Sequence, residues 1–140
     1  MINELYNENI LSLASEIPRI GRLNTPDSSS TVVSKLCGSK VIVDLNFLDG
    51  HVTDFAHHVK ACSLGQASSS VMARNIIGSK YDELIDVREI MFSMLKESGP
   101  PPKGKWDALK YLQPVKDYKG RHASVMLTFD AVYECLNQIV

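Results

Sequence analysis

Two thiols head the residues able to do chemistry. Cys37 stands in S-K-L-C-G-S and Cys62 in K-A-C-S-L-G-Q-A-S-S-S, each at the exit of a β-rich run. A cysteine there is a small buried hydrophobe, a nucleophile or a soft-metal ligand. A helix starting behind Cys62 favours the last two, because free N–H groups and the helix dipole stabilise a thiolate. Ser63, Gly65, Ala67 and Ser68 are small and leave room beside it for a metal, a cluster or a partner loop. The two thiols do not form a short C-x-x-C pair, so spacing alone does not assign a metal. Cys135 shares a helical face with Val132, Leu136 and Ile139 and reads as core.

Other reactive types are less promising. His57 and His58 are consecutive in a strand, so they point to opposite faces and do not share an ion; with His51 they are expected at the strand surface. Ser68, Ser69 and Ser70 have no His or Asp partner at useful spacing, and packing or capping at a helix start explains them.

The elements that position the thiols follow from periodicity. Residues 2–16 put Leu5, Tyr6, Ile10, Leu13 and Ala14 on one helical face, and Pro18 ends that helix. A loop of turn residues leads to T-V-V-S-K-L-C; K-V-I-V-D-L-N-F-L then alternates, with Val41, Val43, Leu45 and Phe47 on one face and Asp44 and Asn46 on the other. Asp49-Gly50 marks a hairpin turn into H-V-T-D-F-A-H-H-V-K-A. Residues 31–61 therefore predict an antiparallel meander with Cys62 at its last exit. A helix over 66–77 closed by Gly78 comes next, then one starting at Ser79 or Asp82 with Val87, Ile90, Met91, Met94 and Leu95 inward. S-G-P-P-P-K-G-K is an exposed break, W-D-A-L-K-Y-L-Q one or two turns stopped by Pro114, and a last helix runs from about His122. The expected fold class is α+β: a three-stranded antiparallel sheet with helices packed on one face, in a single domain over residues 1–140.

Composition bounds the partners. The chain has 140 residues, 44% hydrophobic and 22% charged, with a net charge of −1, which gives no sign of a nucleic-acid surface. No apolar run is long enough to span a membrane, and Glu4, Glu8 and Glu16 do not suit a secretory leader. Three cysteines without an export signal point to a reducing compartment, the cytoplasm.

S-K-L-C-G-S, K-A-C-S-L-G-Q-A-S-S-S and R-H-A-S-V-M-L-T-F-D-A-V together resemble the iron–sulfur cluster scaffold family (IscU, SufU and the N-terminal domain of NifU). Y-N-E-N-I-L-S-L-A-S-E-I-P-R-I-G is similar to that family's first helix and P-R-x-x-G loop, and the insert between the last two helices is similar in length to that of the SufU branch. The resemblance implies a shallow site of three cysteines and one aspartate, with a histidine beside the third cysteine in some branches. Cys37 and Cys62 match the first two cysteines; Ser39 stands at the aspartate and Ser124 at the third cysteine. Ala123 falls at the histidine, His122 lies one position earlier as a substitute metal ligand, and Arg121 matches an arginine near the site in the SufU branch.

A hydroxyl stays protonated where a thiol would ionise, and two thiolates do not hold a [2Fe–2S] cluster by four sulfurs. Three readings follow. Two chains as a homodimer supply four thiolates; His122 completes a Cys-Cys-His site of the kind zinc accepts; or the site is degenerate and the chain a non-metal adaptor. The resemblance implies a non-enzymatic scaffold that holds iron or a labile iron–sulfur cluster on Cys37 and Cys62 for delivery to recipient apo-proteins. Its alternative is a zinc-dependent persulfide acceptor in which Cys62 takes sulfur from a cysteine desulfurase.

Overall fold

Asn7 opens the first helix: its side-chain oxygen accepts from the Ile10 N–H at 3.0 Å, and α1 runs Glu8–Ser15 with Ile10 fully buried. The computed structural model describes residues 7–139; the expected helical positions 2–6, with Leu5 and Tyr6, lie outside them. The helix stops before Pro18, whose ring excludes helical geometry from the preceding residue.

The meander is present as β1 (Ser28–Val33), β2 (Lys40–Leu48) and β3 (His51–Lys60), antiparallel in the order β1-β2-β3. Asp49 and Gly50 both take positive φ, as a primed hairpin turn requires. Its first strand is displaced from the expected span. Ser28–Ser30 pair with Leu45–Val43 despite their loop-like composition, and the strand ends at Val33, so Cys37 lies on a turn beyond it.

Register explains one correction. His57 pairs with inward-facing Val43, so it shares the core face and is fully buried, whereas His58 is exposed as expected. The His57 Nε2 lies 2.9 Å from the Pro18 carbonyl, and the backbone there bridges Ile20 beside β3. Asp44 is on the opposite face, yet it too is buried: Arg22 grips it through two bonds of 2.7 and 3.0 Å, and Ser29 and the Leu23 N–H complete its shell. The loop after α1 thus covers the side of the sheet that the helices leave open.

Helices α2 (Ser63–Asn75) and α4 (His122–Ile139) lie on the sheet; α3 (Tyr81–Lys96) packs on α4, and α1 on α2. Because α2 starts earlier than its apolar pattern suggests, Ser68–Ser70 are not a helix start but a buried stripe facing other elements. Ser68 donates to the Val125 carbonyl of α4 at 2.7 Å, and Ser70 accepts from Arg74 at 3.0 Å. In α3, Val87, Met91, Met94 and Leu95 are buried with Leu84, but Ile90 is 38% exposed, contrary to its expected place. Helix α4 buries Val125, Met126 and Phe129, and with them Val132, Cys135 and Leu136 of the face expected to be core.

The insert departs most. A 3₁₀ helix runs Gly104–Asp117 straight through Pro114, which does not stop it. Trp106, Leu109, Leu112 and Val115 recur every third residue and are all buried, the period of a 3₁₀ rather than an α-helix. Glu83 anchors its start, accepting from Trp106 Nε1 and Lys105 Nζ, each at 2.9 Å.

Candidate thiol site

Cys37 is presented by a locked turn. The Ser34 N–H donates to the Ser39 carbonyl and the Gly38 N–H to the Ser34 carbonyl, both at 2.8 Å. Gly38 takes φ +72°, which a residue with a Cβ adopts only under strain. Ser34 and Ser39 are buried beneath the turn while Cys37 is exposed, its sulfur 3.3 Å from Ser34 Oγ and 3.1 Å from Ser39 Oγ. The Ser34 hydroxyl, then that of Ser39, pull the thiol below its ordinary range against a smaller effect of burial; a Ser39 backbone bond and the Arg121 charge add to the fall.

Cys62 is half-buried at the N-cap of α2. Burial pushes its thiol up, but the Ser124 hydroxyl, the backbone at Gly65 and Leu64, and the Arg121 charge outweigh that and leave it lowered. Its sulfur lies 3.4 Å from Ser124 Oγ, and Ser124 is 1% exposed. Gly65 makes this approach feasible, because a Cβ there would stand 2.6 Å from Ser124 Oγ and 2.7 Å from Ala61 Cβ. The space expected beside Cys62 is therefore already filled: Gly65, Ala67 and Ser68 are small so that α2 packs closely, not to leave a vacancy.

The thiols share Arg121, on a short 3₁₀ turn (Lys119–Arg121) before α4, whose positive charge reaches both sulfurs. Leu36 of the Cys37 turn approaches Gly120 of that same turn. Two serines, Ser34 and Ser39, lie against Cys37, and one, Ser124, against Cys62. The Ser39 and Ser124 hydroxyls occupy the positions where the resemblance leads one to expect an acid and a third thiol.

His122 does not face water at the helix start, nor does it join the thiols. It is 2% exposed, and its Nε2 lies 2.9 and 3.1 Å from the carbonyls of Val115 and Lys116. Among the described residues no three of His, Cys, Asp and Glu form a group able to hold a metal ion, so a Cys-Cys-His zinc site does not fit this arrangement. Cys135 is buried, its thiol pushed up by burial and donating toward Ser30 Oγ at 3.3 Å. A groove of about 680 Å³ between α3 and α4, with Phe92, Met126 and Ala123 among its lining residues, is lined by neither thiol. No helix among the described residues is long and apolar enough to cross a membrane.

Sequence spacing did not reveal the role of Ser34, which only the closure of the turn creates. Gly65 carried a signal, a lone glycine in a helix, whose meaning is the approach of α4.

A three-stranded meander flanked by helices, with paired thiols at one rim, defines a class of small α+β thiol-bearing domains. The chain belongs to the NifU-like N terminal domain family, whose pattern matches residues 5–125. It is 26% identical over 135 residues to the iron–sulfur cluster assembly scaffold protein IscU of Thermotoga maritima, covering 96% of this chain and 94% of that one. The crystal structure of a nitrogen-fixing NifU-like protein (N-terminal) from Brucella abortus superposes with a TM-score of 0.97 at 59% identity, over 99% of this chain and 96% of that one. A proposed scaffold protein for the SUF system from Fervidobacterium islandicum shares the fold, with a TM-score of 0.86 at 19% identity over 96% of this chain and 98% of that one.

Proposed function

We propose that this chain is an iron–sulfur cluster assembly scaffold, and that its cargo, iron or a labile cluster, is held through Cys37 and Cys62. The observation that carries the reading is the pair of thiols themselves, Cys37 exposed on its turn against the Ser34 and Ser39 hydroxyls and Cys62 half-buried at the N-cap of α2 against Ser124, surroundings that favour the thiolate at both. Thiolate is the ligand form for iron, and an exposed rim suits cargo that must leave again. In this role the chain carries cargo rather than turning over a substrate. Its partners are a cysteine desulfurase that supplies sulfur and recipient apo-proteins, in a reducing compartment such as the cytoplasm.

Anaerobically purified protein, before and after incubation with iron and sulfide, tests this by iron and acid-labile sulfide content and the visible spectrum. Bound iron and sulfide, lost in Cys37→Ser and in Cys62→Ser, is the expected result. Their absence in the unaltered chain under all loading conditions would sink the reading.

A second reading has its own support in the N-cap position of Cys62, where the backbone of Leu64 and Gly65 and the Ser124 hydroxyl favour a thiolate. That thiolate attacks the outer sulfur of a desulfurase persulfide; a new S–S bond forms at Cys62, the donor S–S bond breaks, and the donor leaves as a thiolate. One added sulfur on the Cys62 peptide, without iron, would favour this role.

A further inference from the structure

Away from the thiols, the groove between α3 and α4 holds groups that nothing in this chain matches. Arg88 of α3 meets Asp130 of α4 at 3.0 Å at one end, and Lys96 and His122 border the other. Between these ends the lining includes Phe92, 52% exposed, and Met126, nearly covered. A single exposed ring is ordinary on a protein surface, but a ring set in a groove with an adaptable thioether marks a surface to be covered.

His122 adds an independent observation. Its Nε2 lies against two carbonyls, which only accept, so the neutral ring carries its proton there and Nδ1 keeps a bare lone pair. That nitrogen is buried and has no partner among the described residues. Charge points the same way. Arg88 is held by Asp130 and lies 4.1 Å from the Tyr133 ring centre, whereas Glu89 and Glu97 are exposed and make no ion pair among the described residues. Carboxylates outnumber cations along the groove, Glu89, Glu97 and Asp130 against Arg88 and Lys96. Whatever fills it brings donors and positive charge.

We propose that this groove receives a basic amphipathic helix of a partner protein. Its apolar face lies on Phe92 and Met126, and a lysine or arginine meets each of Glu89 and Glu97. Those two acids stand about two turns apart on α3, roughly 12 Å, the span that apolar anchors at i, i+4 and i+7 need. The inference goes beyond the scaffold reading and does not rest on it. Because His122 and Ala123 immediately precede Ser124, the docked helix ends next to the turn that carries Arg121. A partner held there stands beside the thiols.

The probe is an end-capped, alanine-based helical peptide with leucine at i, i+4 and i+7 and a lysine one turn before and one turn after them. It is titrated into the isotope-labelled whole chain and followed by amide NMR shifts. Saturable changes confined to α3 and the first half of α4 are expected. Phe92→Ala should weaken binding about tenfold or more and keep the far-UV spectrum. The double variant Glu89→Lys with Glu97→Lys should reject the lysine peptide and bind its glutamate counterpart, a swap that neither misfolding nor general stickiness produces. Absence of saturable shifts, or shifts indifferent to Phe92→Ala, overturns the proposal. An equal response to hexylammonium alone also overturns it and makes the groove a site for a small cation. A free chain that is a dimer, and that Phe92→Asp dissolves, overturns it in favour of a second copy. Iron and sulfide loading of the same variants reports on the scaffold reading separately.

Discussion

At the scale of single residues, the site is a pair of thiols tuned by serine hydroxyls, Ser34 and Ser39 at Cys37 and Ser124 at Cys62. Burial raises the Cys62 thiol and the Ser124 hydroxyl is the largest influence opposing it, so Ser124→Ala should shift the thiol upward. Peptide-resolved alkylation by iodoacetamide is the check. The Cys62 rate near neutral pH should fall several-fold, and the Cys37 rate should hold. Sequence alone displayed the cysteines and the serines, but not which hydroxyl lies against which sulfur: the closure of the 34–39 turn decides it for Cys37, and the approach of α2 and α4 for Cys62.

His57 is a second case in which register decided. The alternation that separates His57 from His58 was legible; which of the two turns inward depended on pairing with Val43. Burial holds its imidazole below the ordinary range, against the pull of the Pro18 carbonyl, with His58 adding to the depression. The unfolded chain thus binds this proton more readily. Its contribution to stability is complete above the ordinary imidazole value of about 6.5 and is lost as pH falls below it toward the folded value. Urea midpoints should therefore drop between about pH 7.5 and about pH 5.5, and His57→Gln should flatten that part of the profile.

At the scale of elements, two close approaches set the geometry. Gly65 lets the N-termini of α2 and α4 touch, and Gly65→Ala must push Ser124 away from where it faces Cys62. A loss of about 1–3 kcal/mol in denaturant unfolding is expected, accompanied by slower Cys62 alkylation. The insert departs from its expected one or two turns for a different reason. Its apolar residues 106, 109, 112 and 115 repeat every three positions, and Pro114 does not interrupt that period. A helix with three residues per turn keeps all four on one side, a period legible in the sequence itself. The early start of β1 was not legible, since Ser28–Ser30 become strand only because β2 offers partners.

Taking the molecule whole, α1, the sheet, α2 to α4 and the insert share one cluster of buried residues. Trp106 is the sole tryptophan and lies in the insert, 5% exposed. If insert and sheet unfold together, Trp fluorescence and far-UV circular dichroism will give the same urea midpoint; an earlier fluorescence change would show the insert leaving first. Trp106→Ala should cost about 3–5 kcal/mol, read from the circular dichroism transition. The same buried cluster has a wider meaning for the rim. Cys37 stands outside it and Cys62 only borders it, so the walls of this vessel stand without its contents. Small zinc domains collapse when stripped of metal; here a chelator should remove iron and leave the far-UV spectrum unchanged. A container built this way survives emptying and is ready to be filled again.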